Sequence, residues 1–282
     1  MLITPPSSVK PTKKSLSIIT INYNNVQGLR KTIESVVAQT TREFEYIVID
    51  GGSTDGSVEI IKEFEEYIDY WISEPDKGIY HAMNKGVQAA HGEYCQFLNS
   101  GDWLYSPQIV EIFCNIKNRT DIILGVTAHH LEHKVITGRC VNDSLNIFDI
   151  LRGEFNHQSS FISTKLCKEV PYDESYKICS DWKFFIDALI FKNCSFSTIN
   201  EVVVNFDMNG ISNTNRALLK QERDQIIASY NIPPRVKYIF DNMDSDSFEI
   251  SAKLHNYDGF RKFLYQIDRY LLMIYIIMRK IF

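Results

Sequence analysis

Short apolar runs alternate with amphipathic stretches through the N-terminal third of the chain. The apolar runs are Leu16–Asn22, Phe44–Asp50, Asp69–Glu74 and Glu93–Leu98, and each has the length of a buried strand. Between them, apolar side chains recur every three or four residues, which predicts helices that bury one face. Strands that alternate with helices form right-handed βαβ units, so this pattern predicts an α/β fold with a parallel sheet.

The pattern is less regular in the rest of the chain. Ser106-Pro107 predicts a helix start, with Ser106 as the N-cap and Pro107 at the first helical position. The further predicted elements are the rest of that helix to Ile116, strands at Asp121–Thr127 and Val202–Phe206, a hairpin at His129–Cys140, and a helix at Asp181–Phe191. No internal repeat or low-complexity segment interrupts the sequence.

Polar, turn-forming side chains follow the predicted strands at their carboxyl ends. They are Asn22, Asp50, Glu74–Lys77 and Asn99–Asp102. Ligands of open α/β sheets bind beyond the carboxyl ends of the strands, so the pattern predicts a binding site there. The chain has no GxGxxG motif and no P-loop motif, which argues against a dinucleotide site or a P-loop NTPase.

Three carboxylates at these strand ends have more than one interpretation. Asp50 precedes glycines that permit close backbone approach, and it could accept an N–H of a base or remain a turn residue. Asp55 could be the N-cap of a helix that begins near Ser57. Asp102 could close a β-turn, or it could bind Mg²⁺ or Mn²⁺ together with substrate phosphates. The pattern alone leaves these alternatives open.

Composition and charge exclude several other classes of protein. The chain has 282 residues, 44% hydrophobic and 23% charged, as in globular proteins and unlike disordered or collagen-like chains. A net charge of −5 and the lack of a basic, aromatic-rich stripe predict no nucleic-acid partner. Six scattered cysteines without a CxxC pair predict free thiols, and the N-terminus lacks the apolar core of a signal peptide. Both observations favour a cytoplasmic location.

Four segments together resemble the family 2 glycosyltransferases. They are Leu16–Asn24 (LSIITINYN), Glu45–Gly56 (EYIVIDGGSTDG), Ser73–Gly86 (SEPDKGIYHAMNKG) and Gly92–Trp103 (GEYCQFLNSGDW). His157-Gln158-Ser159 and Ser180-Asp181 continue the resemblance less specifically. It implies an inverting enzyme that uses a nucleotide-sugar, with a GT-A fold: a Rossmann-related α/β sandwich with a mostly parallel central sheet.

The resemblance also implies a role for each candidate site residue. Asp181 would be the catalytic base, and Asp102 would hold Mn²⁺ or Mg²⁺ on the diphosphate. Asp50 would accept from the uracil ring N–H, and His157 and Gln158 would lie near the acceptor or the phosphates. The implied nucleotide- and donor-binding residues are Thr20, Asn22, Tyr23, Asp50, Ser53, Asp76, Lys77, Gly78, Asn84, Asn99 and Ser100. An N-cap role for Asp181 on its helix is the structural alternative.

Two positions depart from the pattern of the family. Similar members carry Asp-Asp after Asn-Ser, whereas this chain has Gly101 before Asp102. They also carry Asp where His81 stands. The loss of a carboxylate at position 101 removes charge beside the expected metal, while the last acidic position is kept.

The sequence divides into three predicted parts. Residues 1–14 would be an extended lead-in, and residues 15–240 the GT-A domain, with a nucleotide-binding half (15–105) and an acceptor half (106–240). Residues 250–282 are predicted to form an amphipathic helix, which could dock on the domain, pair as a coiled coil or lie in a membrane surface. Basic residues flank its apolar run Tyr270–Met278, which favours peripheral membrane contact.

The predicted function is transfer of a hexosyl or N-acetylhexosaminyl group from a UDP-sugar to a carbohydrate acceptor. By analogy, the acceptor is a lipid-linked surface glycan. One alternative is a catalytically silent module that binds a nucleotide-sugar or a partner. A second is a sugar nucleotidyltransferase, which should have a glycine-rich, basic loop where Tyr23–Val26 stands.

Overall fold

The computed structural model describes residues 14–131, 134–138, 150–151, 153, 156–208 and 215–230. Its strands are β1 (Leu16–Asn22), β2 (Phe44–Asp50), β3 (Tyr70–Ser73), β4 (Tyr94–Phe97), β5 (Trp103–Leu104), β6 (Ile122–Leu131), β7 (Lys134–Thr137), β8 (Ser160–Ser163) and β9 (Phe196–Asp207). Its α-helices are α1 (Val26–Val37), α2 (Ser57–Glu63), α3 (Ile79–Ala89), α4 (Ile109–Cys114), α5 (Thr164–Glu169), α6 (Ser180–Ile186) and α7 (Arg216–Ser229). Most of the predicted lead-in and the whole predicted helix 250–282 lie outside the described residues.

In the described part of the chain, nine strands form one sheet in the order β3-β2-β1-β4-β8-β6-β9-β5, with β7 paired to β6. Strands β3, β2, β1 and β4 are mutually parallel. Strand β8 runs antiparallel to both β4 and β6, whereas β9 runs parallel to β6. The predicted α/β class is confirmed, and the parallel strands of the N-terminal third are those that carry the βαβ pattern.

The register of the parallel strands brings their polar ends side by side. Asn22 pairs with Asp50 across β1 and β2, and Asp50 pairs with Ser73 across β2 and β3. The turn after β4 joins them, because the Ser100 N–H donates to the carbonyl of Ile21 at 3.0 Å. One edge of the sheet therefore collects residues from four separate segments.

Both faces of β1, β2 and β4 are buried, which explains their continuous apolar runs, whereas the edge strand β3 is partly exposed. On one face, Ile19 belongs to a core cluster that includes Met83 of α3 and Phe184 of α6. On the other face, Ile18 belongs to a cluster that includes Leu29 of α1. Packing in these two clusters fixes the positions of the strands and therefore of the residues at their ends.

The helix predicted from Ser106-Pro107 begins at Ile109 instead. The carbonyl of Ser106 accepts from Gln39 Nε2 at 2.9 Å, and the carbonyl of Pro107 accepts from the Thr40 N–H at 2.9 Å. These bonds fix the two residues as a turn against the end of α1, so the helix starts two residues later than Pro107.

Other predicted elements are present with different limits. The predicted strand Val202–Phe206 is the end of the longer β9, and strands β6 and β7 form the predicted hairpin. The predicted helix Asp181–Phe191 consists of α6 followed by a π-helix over Asp187–Phe191. Among the residues described, none of the helices is long and apolar enough to cross a bilayer.

Candidate active site

Asp50, at the end of β2, is fully buried and accepts four hydrogen bonds. Its Oδ1 accepts from Asn22 Nδ2 (2.8 Å) and Ser53 Oγ (2.6 Å), and its Oδ2 accepts from Ser73 Oγ (2.6 Å) and the Ser53 N–H (2.9 Å). Burial opposes ionisation, but the four bonds outweigh it and hold the pKa of Asp50 below its usual value. A carboxylate has about four acceptor positions. Accepting a uracil N–H therefore requires one of these donors to release its bond.

Asn22 presents a second acceptor at the same strand ends. The side chain is 4% exposed, and its Nδ2 is used in bonds to Asp50 and Ser53. Its Oδ1 is buried and has no hydrogen-bond partner among the residues described. A buried acceptor left without a partner is unfavourable by roughly 1–3 kcal/mol. Asn22 Oδ1 is thus the acceptor of this network that has no donor among the described residues.

A cavity of about 750 Å³ opens beside these strand ends, and we call it the strand-end cavity. It is lined by seven of the predicted donor residues: Asn22, Tyr23, Asp76, Lys77, Gly78, Asn99 and Ser100. Tyr23 is 69% exposed, so its ring is accessible to a ligand. A Cβ at Gly51 would lie 3.1 Å from the Tyr23 ring and 3.3 Å from Asp76 Oδ2. The glycine therefore preserves room between these two side chains.

Asp76 is held by two basic residues of α3. Its Oδ1 lies 2.9 Å from His81 Nδ1 and 2.5 Å from Lys85 Nζ. His81 is the position at which similar family members carry Asp. An aspartate there would place a like charge beside Asp76, whereas the imidazole makes an attractive contact.

Helix α1 fixes the turn that follows β4. Asn25, the N-cap of α1, donates from Nδ2 to the carbonyl of Ser100 at 3.0 Å. The Thr32 hydroxyl accepts from the Gly101 N–H at 3.0 Å and donates to the carbonyl of Asp102 at 2.6 Å. Gly101 has φ = 108°, in a region that favours glycine. The turn is therefore shaped for a glycine at position 101.

Asp102 ends this turn with a carboxylate that is almost fully buried, at 4% exposure. Its Oδ1 accepts from the backbone N–H of Asp207 at 2.8 Å, and the Gln158 side chain also bonds to it. Burial raises the pKa of Asp102 to about 7; the carboxylate of Asp207 adds to the rise, and His157 opposes it. A positive charge brought to this carboxylate would stabilise its ionised form.

Asp181 lies in the first turn of α6, with its carboxylate bonded by three donors. His157 Nδ1 is 2.8 Å from Oδ2, and the Tyr80 hydroxyl and the Trp182 N–H are 3.0 Å and 2.9 Å from Oδ1. Burial opposes ionisation, but the bonds from His157 and Tyr80 outweigh it and lower the pKa of Asp181. The carboxylate is therefore ionised at neutral pH, and its side chain keeps 26% of its surface exposed.

The alternative N-cap role for Asp181 is not what the structure contains. The N-cap position of α6 is Cys179. The buried Glu222 of α7 accepts the N–H groups of Lys177 (2.7 Å), Ile178 (2.9 Å) and Cys179 (3.0 Å). Glu222 therefore satisfies the backbone donors of the segment that leads into α6, whereas Asp181 lies inside the first turn and accepts from the Trp182 N–H.

A second cavity, of about 490 Å³, has both acids in its wall, and we call it the acid cavity. Its predicted site residues are Asn99, Ser100, Asp102, His157, Gln158 and Asp181. The two cavities adjoin, because six residues line both: Asn25, Ile79, Tyr80, Asn99, Ser100 and Lys177. One cavity therefore contains a carboxylate that stays ionised, Asp181, and a carboxylate that is hard to ionise, Asp102.

Four predicted site residues line neither cavity. Thr20 is fully buried, and its hydroxyl contacts a buried tyrosine. Asn84 donates to the carbonyl of Tyr172 at 2.9 Å and accepts from its N–H at 2.9 Å, which ties α3 to a neighbouring segment. Asp50 and Ser53 lie in the hydrogen-bond network at the strand ends. These four residues support the site rather than line it.

The carboxylates present fit a hard divalent cation. Within the described residues, no three His, Cys, Asp or Glu side chains are grouped as a complete metal site. Asp102 and Asp207 nevertheless both line the acid cavity. Mg²⁺ and related hard cations are commonly held by one or two carboxylates, with waters and substrate phosphates completing the coordination. This pair would supply that partial set.

Three residues of the site were not predicted from the sequence: Tyr80, Asp207 and Glu222. Asp207 follows an apolar strand, which is the same signal that identified Asn22 and Asp50. The strand was predicted to stop at residue 206, one residue short of it. Tyr80 and Glu222 lie within helices and have no comparable signal.

Comparison with known proteins agrees with the geometry. Residues 17–167 match the model of "Glycosyl transferase family 2". An uncharacterized glycosyltransferase of Mycobacterium tuberculosis is 33% identical over 202 residues, which are 70% of this chain and 76% of the relative. A PGL/p-HBAD biosynthesis glycosyltransferase of Mycobacterium bovis is 30% identical over 217 residues, 70% of this chain and 79% of that protein.

Solved structures show the fold. S. aureus TarS 1-349 in complex with UDP-GlcNAc has a TM-score of 0.60 at 17% identity, covering 82% of this chain and 77% of that one. The present chain covers 46% of the length of another TarS structure. A mannosyltransferase of Pyrobaculum calidifontis in complex with GDP-Man and Mn²⁺ has a TM-score of 0.59 at 14% identity, covering 93% and 86%. The GT-A fold expected from the sequence is confirmed, and the chain is a glycosyltransferase that belongs to family 2.

Proposed function

We propose that this glycosyltransferase moves a sugar from a UDP-sugar to a carbohydrate acceptor with inversion at the anomeric carbon. The observation that carries the proposal is the shared cavity of Asp102 and Asp181, which adjoins the strand-end cavity. A nucleotide in the strand-end cavity would direct its diphosphate and sugar toward the two acids. The acceptor would enter the acid cavity from the side of Asp181.

The strand-end cavity has features that suit a nucleoside diphosphate. The exposed ring of Tyr23 can stack on a base, and the unpartnered Oδ1 of Asn22 can accept a base N–H. Lys77 lines the same cavity and supplies a cation for the diphosphate. UDP is proposed because UDP-GlcNAc is the ligand of the TarS structure.

The proposed reaction is a single in-line displacement. The acceptor hydroxyl attacks the anomeric carbon, its proton passes to Asp181, and the bond from that carbon to the diphosphate breaks. A positioned base of this kind contributes about 10²–10⁴-fold to the rate. His157 and Tyr80 orient the carboxylate and keep it ionised. When bound by Asp102, Mn²⁺ or Mg²⁺ supplies Lewis-acid stabilisation of the leaving diphosphate.

The finer identity of donor and acceptor forms part of the proposal. A hexosyl or N-acetylhexosaminyl donor is proposed from the sugars in the two neighbouring structures. A lipid-linked glycan acceptor, with peripheral membrane contact through residues 250–282, is proposed from the basic residues around the apolar run in that segment. Deleting residues 257–282 should release the protein from anionic liposomes while activity on a soluble acceptor survives. Failure of the full chain to bind such liposomes would overturn the membrane contact.

A panel of nucleotide-sugars tests the central proposal. UDP-, dTDP- and GDP-sugars are incubated with Mn²⁺ or Mg²⁺, and donor hydrolysis, thermal stabilisation and the released nucleotide are measured. UDP-sugars should give the largest stabilisation and release UDP, and NMR of the product should show an inverted anomer. Stabilisation without turnover on any acceptor would favour the silent binding module, and release of inorganic diphosphate from sugar phosphate and UTP would favour a nucleotidyltransferase.

A further inference from the structure

Asp207 and Asp102 meet in the wall of the acid cavity although they are far apart in the sequence. The backbone N–H of Asp207, at the end of β9, donates to Asp102 Oδ1 at 2.8 Å. Both residues line the cavity. The bond ties the end of β9 to the turn after β4, so the two carboxylates are held as neighbours by the fold.

Gly101 leaves the space in which the Asp207 carboxylate lies. A Cβ built on Gly101 would be 3.0 Å from Asp207 Oδ2 and 3.6 Å from Asp207 Cβ. A side chain at position 101 and the Asp207 carboxylate therefore compete for one place. The motif that the sequence resembles usually has a carboxylate at position 101, and here a carboxylate from another strand lies beside that position.

We propose that Asp207 supplies the second carboxylate to the divalent cation, in the place left by the missing acid at position 101. The inference rests on the proposed function, because it concerns the cation that Asp102 would hold on the donor diphosphate. It assigns to β9 a role that the resembled motif assigns to the turn after β4. The glycine at position 101 then makes room for the Asp207 carboxylate, and its presence does not mean that the metal site has been lost.

A buried imidazole in the same cavity points independently to a ligand. His157 is 7% exposed and lines the cavity, and its Nδ1 is bonded to Asp181. Its Nε2, on the far side of the ring from that bond, is buried and without a hydrogen-bond partner among the residues described. A hydrated cation or a substrate hydroxyl in the acid cavity would supply the missing partner.

The charges around the pair also favour a cation. Asp102 and Asp207 repel each other in a site with little access to water. Lys31 is close enough to interact with both, and its ammonium group lies 2.9 Å from the centre of the Trp103 ring. The exposed Lys31 offsets part of this charge, and a divalent cation would add further opposite charge.

The test measures Mn²⁺ binding directly by electron paramagnetic resonance, with UDP present and absent, on the full chain. Loss of residues that only surround a metal site weakens metal binding by about 10–100-fold. Asp207→Asn should therefore weaken Mn²⁺ binding in the presence of UDP by about 10-fold or more. The substitution keeps the backbone N–H that bonds to Asp102, and a thermal melt checks that the variant is folded.

Glu201→Gln is the matched control, because Glu201 is an exposed carboxylate on the same strand that lines neither cavity. Its Mn²⁺ affinity should equal that of the wild type. If both variants weaken Mn²⁺ binding equally, the effect comes from the change in overall charge, and the proposal is overturned. Unchanged Mn²⁺ affinity in Asp207→Asn would also overturn it. If Asp207→Asn does not fold, Asp207→Ser is measured in the same way.

Repeating the titration with inorganic diphosphate in place of UDP separates this inference from the proposed function. If Mn²⁺ binding depends on Asp207 with diphosphate but the protein has no affinity for UDP, the carboxylate assignment stands and the UDP-sugar proposal fails. If UDP binds equally with Mn²⁺ and with EDTA, the Asp207 assignment fails while a metal-independent transferase remains.

Discussion

His157 Nδ1 lies 2.8 Å from Asp181 Oδ2, and this contact joins two segments that are 24 residues apart in the sequence. His157 begins the short turn before β8, whereas Asp181 lies in the first turn of α6. The imidazole also lowers the pKa of Asp181 and opposes the rise in the pKa of Asp102. One side chain therefore acts electrostatically on both acids of the cavity.

Asp181→Asn should abolish most of the transfer while donor binding survives. An amide cannot take the acceptor proton, so we expect kcat to fall by about 10²–10⁴-fold. The affinity for UDP, measured by calorimetry, should change little because Asp181 lines only the acid cavity. Asp173→Asn removes a nearby charge outside both cavities and should leave kcat unchanged. Near-normal turnover of Asp181→Asn on the true acceptor would show that Asp181 is not the catalytic base.

Replacing His157 should move the pH dependence of the reaction. Without the bond from Nδ1 the pKa of Asp181 rises, so the carboxylate is protonated over a wider range on the acid side. His157→Leu should therefore shift the acidic limb of the pH profile of kcat/KM to higher pH. His157→Gln keeps a donor and should restore part of the shift. Identical acidic limbs in the wild type and the leucine variant would show that the contact does not control the base.

Asp102 should make the metal-free protein less stable as the pH rises. The folded protein keeps the Asp102 proton up to about pH 7, whereas the unfolded chain releases it near 3.8. Between these two pH values the folded state thus binds more protons than the unfolded chain. The stabilisation that is fully present below about pH 4 is therefore lost progressively as the pH rises to about 7. The loss is up to about 4 kcal/mol, since one pKa unit corresponds to about 1.4 kcal/mol.

The measurement is urea unfolding in EDTA from pH 4 to pH 8 for the wild type and Asp102→Asn. The asparagine cannot ionise, so the free energy of unfolding of the variant should lack this component. The difference between the two proteins should change steadily in favour of the variant as the pH rises. A difference that is constant with pH would contradict the raised pKa.

The sequence predicted the strand-end residues well because their signal is local. A polar residue that closes an apolar run marks a strand end, and the register then places Asn22 beside Asp50. The same run could not show that Thr20 points into the core, because a strand that is buried on both faces lacks the alternation of apolar and polar residues that distinguishes one face from the other. Asn84 was assigned by resemblance, and only tertiary contacts show that it binds the backbone of Tyr172.

The acid cavity was harder to predict because its residues meet only through long-range pairing. Strand β9 pairs antiparallel with β5, which follows Asp102 directly, and this long-range pairing carries Asp207 to Asp102. Glu222 lies on a helix beyond the region of the resemblance. Asp207 carries the strand-end signal but lies one residue past the predicted strand, and Glu222 has no composition or spacing that differs from an ordinary surface acid.

Tyr23 should contribute to nucleotide binding through its ring. Base–aromatic stacking is worth about 1–3 kcal/mol, so Tyr23→Ala should weaken UDP binding by roughly 5–100-fold. The exposed side chain contributes little to the core, and the thermal midpoint should stay close to that of the wild type. Tyr23→Phe keeps the ring and should bind UDP normally. Equal UDP affinities for the wild type and the alanine variant would show that the uracil ring does not stack on Tyr23.

Glu222 should position Asp181 through the start of α6. Its carboxylate accepts three backbone N–H groups from Lys177, Ile178 and Cys179. A glutamine at this site has one oxygen and turns an NH₂ group toward those donors, which leaves at least one of them unpaired. We expect Glu222→Gln to lower the free energy of unfolding by about 1–3 kcal/mol in urea titrations.

The same variant should also lower kcat, because α6 carries the proposed base and its first turn loses an anchor. Asp224→Asn, an exposed acid two positions further along α7, removes the same charge and should change neither stability nor kcat. If Glu222→Gln loses stability but its folded fraction turns over normally, Glu222 supports the fold alone. If both quantities fall together, the buried carboxylate of α7 positions Asp181 by fixing where α6 begins.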